Sequence, residues 1–491
     1  MRALSIFLLT SICLLLSASS EPQSHNDVTK PNILLIIGDD IGWTDFGCYG
    51  HPYIQTPHID RLAERGLKFN RFFLTASSCS PSRCSIISGR YPHNNGAAEL
   101  HTPLPESMIA FPALLQQAGY YTFQAGKTHM GPHAMASFSI AHGNQEGGPG
   151  GEERWVKSLQ ERPKDKPFFA WFASFDAHRA WQADPGAYQH KAEEVIVAPY
   201  LADTEATRQD LVAYYNEIGR LDRYVGAVVA ELEAQGVLDN TLIILMADNG
   251  MPFPRAKTRV YDSGMQSPFI VHWPAGISEI GKTNFSLLSA VDIAPSLLEI
   301  AGVKAPDSYQ GRSFTKLFTE SEQPFRRFVF AEHNWHDFEA LERSVRSQEY
   351  LYVLNERPNL ANGGPADSKN SPSQKELNLL RDTGHLSAAQ ADIFQTPRPR
   401  EELYAVMTDS LQLCNLASMP QYQPVLRQYR KALQSWREQS GDNTPQNITR
   451  DGFDRQTGQL REGVEAFNKV ERGEMPGRRS GGLKATGHPG F

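Results

Sequence analysis

Asn32-Ile33-Leu34-Leu35-Ile36-Ile37, followed by Gly38-Asp39-Asp40, is the stretch on which the fold turns. Six uncharged, mostly aliphatic residues in a row read as a strand buried on both faces, the habit of a parallel sheet. Similar short runs lie at 120–125, 168–173, 241–246 and 269–272. Helical stretches separate them. The clearest spans 211–235, where Leu211, Tyr215, Ile218, Leu221, Val225, Val228 and Leu232 recur every three or four residues before Gly236. The pattern predicts an α/β fold, a mostly parallel sheet flanked by helices on both faces.

The first four of these strands each run into a polar exit. Asp39-Asp40 come after the first, Lys127 and His129 after the second, His178 after the third and Asp248-Asn249 after the fourth. In open α/β sheets ligands bind beyond the carboxyl ends of the strands, so these groups are placed to converge. Past residue 325 the pattern changes. Residues 327–331 and 349–354 read as strands of a smaller α+β part, and 424–439 as a helix with Pro424 in its first turn. The expected division is a catalytic α/β domain over 30–325, a smaller subdomain over 326–440 and an extension over 441–491. The extension's Gly-rich end, from about 473, reads as a mobile tail.

The chain has 491 residues, 40% hydrophobic and 21% charged, with a formal net charge of −7. That balance argues against nucleic acid as a partner, which needs a basic face, but leaves room for a local cationic pocket. Arg2, a short apolar run to Leu16 and Ala18-Ser19-Ser20 read as a cleaved signal peptide over 1–20. A run of about 13 residues is too short for a membrane span, and no later segment is apolar enough. The expected location is therefore secreted or periplasmic. Cys48, Cys79, Cys84 and Cys414 remain after cleavage, too few for a disulfide framework.

Cys79-Ser80-Pro81-Ser82-Arg83 carries the strongest chemical signal. Pro81 suits a first helical turn, which would put Cys79 at a helix N-terminus, where free N–H groups and the dipole favour anions. Asp39, Asp40, Asp248 and Asn249 offer hard oxygen ligands of the kind calcium or magnesium takes. Either pair alone is ordinary turn chemistry. Arg83, Lys127, His129, His178 and Lys257 form a cationic set able to hold an oxyanion and move protons.

The pentapeptide at Cys79 resembles the C-x-P-x-R signature of type I sulfatases, which oxidise that cysteine to formylglycine. Gly126-Lys127-Thr128-His129 is similar to the family's G-K-x-H turn, and Phe175-Asp176-Ala177-His178 to its strand-end histidine. The resemblance runs from about Lys30 to Ala417 and is closest to heparan N-sulfatase (sulfamidase)-like members. Ser77–Arg83, Asp248-Asn249-Gly250-Met251-Pro252-Phe253-Pro254, Glu402-Leu403-Tyr404 and Asn415-Leu416-Ala417 carry that closeness. There are departures: Tyr261-Asp262-Ser263-Gly264 stands for the usual Y-E-G-G, and Lys257 for the sulfamidase arginine.

The resemblance implies an alkaline-phosphatase-like fold and a set of site roles. Calcium would be held by Asp39, Asp40, Asp248, Asn249 and the converted Cys79. Arg83 would favour the attacking alkoxide, whose proton Asp248 would accept. Lys127, His178 and Lys257 would hold the sulfate, with His178 or Lys257 protonating the leaving group and His129 taking a proton from the nucleophile's second hydroxyl. A maturation enzyme would supply the formylglycine. The expected activity is exo-acting hydrolysis of sulfate esters or sulfamates of a sulfated saccharide, N-sulfoglucosamine specificity being one alternative. Arg179, His333, His336 and Arg346 are candidate sugar contacts. Two rivals stand beside this reading: a phosphonate or phosphodiester hydrolase of the same superfamily, and a glycan-binding protein with a decayed site.

Overall fold

Thirteen strands form two sheets in the computed structural model, which describes residues 30–143, 147–320, 323–466 and 469–477. The signal peptide read at 1–20 and the tail beyond 477 lie outside the described residues. The residues from Pro31 onward belong to one unit.

The large sheet contains β1 (Asn32–Gly38), β2 (Leu67–Phe73), β3 (Tyr121–Gly126), β4 (Ile140–His142), β5 (Phe168–Ala173), β6 (Thr241–Ala247), β7 (Gln266–His272), β8 (Lys282–Asn284) and β9 (Leu288–Ser289). Their order is β4-β3-β5-β1-β6-β7-β2-β8, with β9 also beside β2. β3, β5, β1 and β6 are mutually parallel, Leu35 pairing with Trp171 on one side and Ile244 on the other. Every residue of β1, β5 and β6 is buried, because helices and loops pack on both faces. Leu35 and Ile37 face one apolar core, Leu34 and Ile36 the other.

One expectation needs correction. The strand at 269–272 is longer, Gln266–His272, and runs antiparallel to β6. The reason is its connection. Residues 248–265 hold only one short helix, Asp262–Met265, and no crossover, so the chain re-enters the sheet from the end where it left.

The helix read at 211–235 runs over Glu205–Ala234, starting where Thr204 Oγ1 accepts the Thr207 N–H at 3.3 Å. The smaller sheet is an antiparallel meander of β10 (Val329–His333), β11 (Glu342–Arg346), β12 (Tyr350–Asn355) and β13 (Glu401–Ala405). The helix Gln423–Ser440 packs on it through Leu426, Tyr429, Leu433 and Trp436. Residues 473–477 are tied down, the Gly473 N–H donating to Thr449 Oγ1 at 2.9 Å. Among the described residues no helix is long and apolar enough to cross a membrane.

Candidate active site

Parallel strands deliver their carboxyl ends to one edge, and the four central ones carry the predicted residues there. Asp39 and Asp40 leave β1, Lys127 leaves β3, Asp176 and His178 come after β5, and Asp248 and Asn249 leave β6. Backbone hydrogen bonds lock these exits together. The Asp39 N–H donates to Asp176 O at 2.8 Å, the Asp248 N–H to Gly38 O at 3.1 Å and the Lys127 N–H to Ala173 O at 2.8 Å. Gly126 is required at the β3 exit: its φ is +89° and a Cβ would lie 1.9 Å from Ala173 O.

The helix Cys79–Ser88 closes the site. It is buried along its whole length, and Gly89 ends it in the left-handed conformation. Cys79 therefore stands at a helix N-terminus, as its proline spacing predicts. Cys79 Sγ lies 3.9 Å from Asp40 Oδ1. Burial pushes the thiol's pKa well above its ordinary value, against the pull of Lys127 and Lys257. A cysteine held as a thiol is a poor nucleophile.

Opposite charges meet around it. Arg83, fully buried, donates from Nε to Asp248 Oδ2 at 2.8 Å and approaches Asp39 Oδ1 at 3.5 Å. Lys127 Nζ bonds Asp39 Oδ2, and Lys257 Nζ bonds Asp40 Oδ2 at 2.7 Å. Asn249 donates to Asp40 Oδ1. Burial opposes ionisation of Asp39, but Lys127, His178, Arg83 and Lys257 together hold it well below the usual carboxylate range. Burial and the neighbouring Asp39 and Asp40 raise Asp248 to about 7 despite Arg83 and Lys127.

A hard divalent cation fits this donor set. One ligand atom each from Asp39, Cys79 and Asp248 lies within 4.8 Å of the others. Asp39 Oδ1 and Asn249 Oδ1 are buried oxygens without a hydrogen-bond partner. Buried oxygens of that kind ordinarily find a donor or a cation.

The two histidines differ. His178 Nε2 sits 3.5 Å from Asp367 Oδ2 and 3.9 Å from Asp40 Oδ2, on a side chain 30% exposed. His129 is deeper, with Nε2 at 2.7 Å from His101 Nδ1. Burial, then Lys127 and His101, keep His129 neutral by holding its pKa well below the ordinary value. Asp40, His101 and His129 all have left-handed backbones, with φ of 60°, 62° and 52°. Strain of that kind, about 1–3 kcal/mol per residue, collects at functional sites.

Of the four candidate sugar contacts, His336 meets the residue before the Cys79–Ser88 helix, its Nδ1 2.8 Å from Ser78 Oγ. His333 is bound to Glu342 Oε2 at 3.1 Å. Arg179 has its guanidinium engaged by both oxygens of Asp210, each at 2.7 Å, and by Pro252 O. Arg346 is bound to Asp262 at 3.0 Å. The sequence reading passed over Asp367 and His101. Asp367 comes from the loop between β12 and β13 and also reaches Lys257 Nζ at 3.5 Å. Nothing but a single acid in a Gly-Pro stretch marks it in the sequence.

The sulfatase family model matches residues 31–147 and 153–303. The chain belongs to the sulfatase family. It is accordingly a sulfuric ester hydrolase. The model for the C-terminal region of N-sulphoglucosamine sulphohydrolase matches residues 255–357. An ulvan-active sulfatase of Formosa agariphila is 30% identical over 84% of this sulfatase and 76% of its own length. Human N-sulphoglucosamine sulphohydrolase is likewise 30% identical, over 84% and 90%. A solved structure described as bound to D-glucosamine-2-N,6-O-disulfate superposes with a TM-score of 0.65 at 19% identity, covering 84% of this chain and 98% of that one. That last likeness establishes the fold, a mostly parallel sheet with a smaller antiparallel one.

Proposed function

We propose that this sulfatase removes single sulfate groups from the ends of a sulfated saccharide, through a nucleophile made by oxidising Cys79. The observation that carries the reading is the placement of Cys79, at a helix N-terminus among Arg83, Lys127 and Lys257 with unpartnered carboxylate and amide oxygens beside it. The ulvan-active sulfatase and the N-sulphoglucosamine sulphohydrolase among the relatives favour a sulfated saccharide over a phosphonate or phosphodiester.

Formylglycine at position 79 would supply, once hydrated, a hydroxyl nucleophile that a thiol cannot. Calcium held by Asp39, Asp40, Asp248 and Asn249 would supply positive charge at that hydroxyl. The remaining chemistry belongs to the chain's own side chains. Asp39, Asp40, Asp248 and Asp367 face Arg83, Lys127 and Lys257. Adding a divalent cation makes that set net positive by one, which complements the single negative charge of a sulfate ester or sulfamate. Lys127 and Lys257 are both held charged, Lys257 against burial by Asp40 and Asp367, so they clamp sulfate oxygens. His178, half-buried beside Asp367, would protonate the departing oxygen or nitrogen. Neutral His129 would accept a proton from the nucleophile.

The saccharide assignment comes from the relatives, one acting on ulvan and one named for N-sulphoglucosamine. Net charge adds to it. Removing residues 1–20 takes away Arg2 alone, so −7 becomes −8, and a long polyanion meets repulsion that a chain end in a cationic pocket escapes. N-sulfate and O-sulfate stand level: the sulfamidase-like loop favours the first, and Lys257 in place of the sulfamidase arginine weakens that transfer. Secretion or export to a periplasm completes the reading. Assaying N-sulfoglucosamine beside O-sulfated mono- and disaccharides tests it, and inactivity on all of them overturns it.

A further inference from the structure

We infer that His101 is a positioning residue that fixes the tautomer of His129, leaving the lone pair of His129 Nδ1 available to accept a proton. The inference rests on the reading of His129 as a proton acceptor. It goes beyond that reading by assigning a function to a histidine outside the expected catalytic set.

Three observations meet at this pair. The first is the contact itself, Nε2 of His129 to Nδ1 of His101 at 2.7 Å, with ring centroids 4.7 Å apart. At that distance one nitrogen donates and the other accepts. The second is how His101 is held. Its backbone N–H donates to Ser80 Oγ at 2.8 Å, and Ser80 is the residue after Cys79 on the nucleophile's helix. The neighbouring Leu100 is tied from both sides, its N–H donating to Trp335 O at 3.1 Å and its carbonyl accepting from Arg472 Nη2 at 2.9 Å. The third is backbone conformation. Both histidines have left-handed φ, which non-glycine residues adopt at a cost.

The charges around the pair choose the proton's place. Lys127, Arg83 and Asp39 face His129, and Lys127, Lys257 and Arg472 face His101. Burial and those cations lower His101 to about 4 and His129 well below its ordinary value, so both rings are neutral near pH 7. His129 Nδ1 is buried and has no protein partner. An N–H at that buried nitrogen would be a donor with no protein acceptor, on a ring whose neighbouring Lys127 and Arg83 already oppose positive charge. A lone pair there is favoured, which puts the ring proton on Nε2, donated to His101 Nδ1. The hydrogen bond made by one imidazole nitrogen sets what the other can do. Here it prepares Nδ1 to take a proton.

The test uses the whole chain with 13C- and 15N-labelled histidine. Ring-carbon and ring-nitrogen shifts report the tautomer of each histidine, and a His129→Gln variant assigns the His129 signals. The expected result is the Nε2–H tautomer for His129, whether or not Cys79 has been converted. In His101→Ala that preference is lost, and kcat falls about 10- to 100-fold with KM little changed. In His101→Asn both are restored, because Asn Oδ1 occupies the place of His Nδ1 as an acceptor and Asn tolerates a left-handed backbone. An Nδ1–H tautomer in the unsubstituted protein, or one unmoved by His101→Ala, overturns the inference. The expected tautomer together with full activity in His129→Gln would instead remove the proton-acceptor reading, so the two failures are distinguishable.

Discussion

Arg83 Nε donates to Asp248 Oδ2 at 2.8 Å with neither side chain exposed to solvent. The contact joins the Cys79–Ser88 helix to the end of β6. Removing one member of a buried pair leaves the other charge without a counter-charge, at about 3–5 kcal/mol. Arg83→Ala is therefore expected to lose that much stability in a urea titration, together with activity. Arg83→Lys keeps the charge but cannot reach Asp248 and Asp39 with separate guanidinium nitrogens, so it recovers stability better than turnover. Equal stability of Arg83→Ala and the unsubstituted enzyme would contradict the pairing.

The metal reading predicts a thermal signature separate from catalysis. A ligand that binds only the folded state at 100 times its Kd stabilises by about 2.7 kcal/mol. Exhaustive chelation is expected to lower Tm by several degrees, and calcium to restore it. Asp40→Asn should abolish the restoration while keeping the fold. A Tm indifferent to chelator and calcium would count against a cation at these oxygens.

Strand-end chemistry was legible in the sequence because the central strands are continuous apolar runs and their polar exits are abrupt. Asp39-Asp40 and Asp248-Asn249 could be placed on one edge before any distance was known. The smaller sheet was harder to read. All five residues of Glu342-Arg343-Ser344-Val345-Arg346 are buried, yet only one is apolar. Arg343 is paired with Asp442 at 2.8 Å, Glu342 with His333, and Arg346 with Asp262. Asp442 and Asp262 are so distant in sequence, and Glu342 and His333 meet only across neighbouring strands, that no periodicity marks the strand. Asp367 and His101 escaped for the same reason, since each becomes meaningful only beside a residue from another segment.

Behind β5 a second acidic cluster predicts a pH dependence of stability. Glu217 accepts the Gln182 N–H at 2.7 Å and lies 3.2 Å from Arg220, which also binds Asp176. Burial, then the Asp176 carboxylate, raise Glu217 from 4.5 to about 8. Burial and Asp176 also raise Glu152. A carboxyl whose folded pKa lies above its unfolded one contributes fully below the unfolded value, and that contribution is lost as pH rises through the folded value. Tm is expected to fall between pH 5 and 8, and to fall less in Glu217→Gln, which keeps the acceptor without the charge. A steeper fall in that variant would contradict the assignment.

The proposed end-selective pocket predicts a dependence on chain length. Oligosaccharides of increasing length with one sulfated non-reducing end should be turned over with kcat/KM that does not rise with length. Internal sulfates should be spared until the end group is gone. Time courses by mass spectrometry distinguish this from random loss along the chain, which would contradict an end-selective pocket.

Conversion of Cys79 into the proposed nucleophile is read from the mass of the peptide carrying that residue. Conversion to formylglycine makes the peptide about 18 Da lighter, oxygen replacing SH₂. Preparations made with different amounts of maturation enzyme should show sulfatase activity proportional to the converted fraction, extrapolating to none when only cysteine is present. Full activity in a preparation whose position 79 is entirely cysteine would contradict the account.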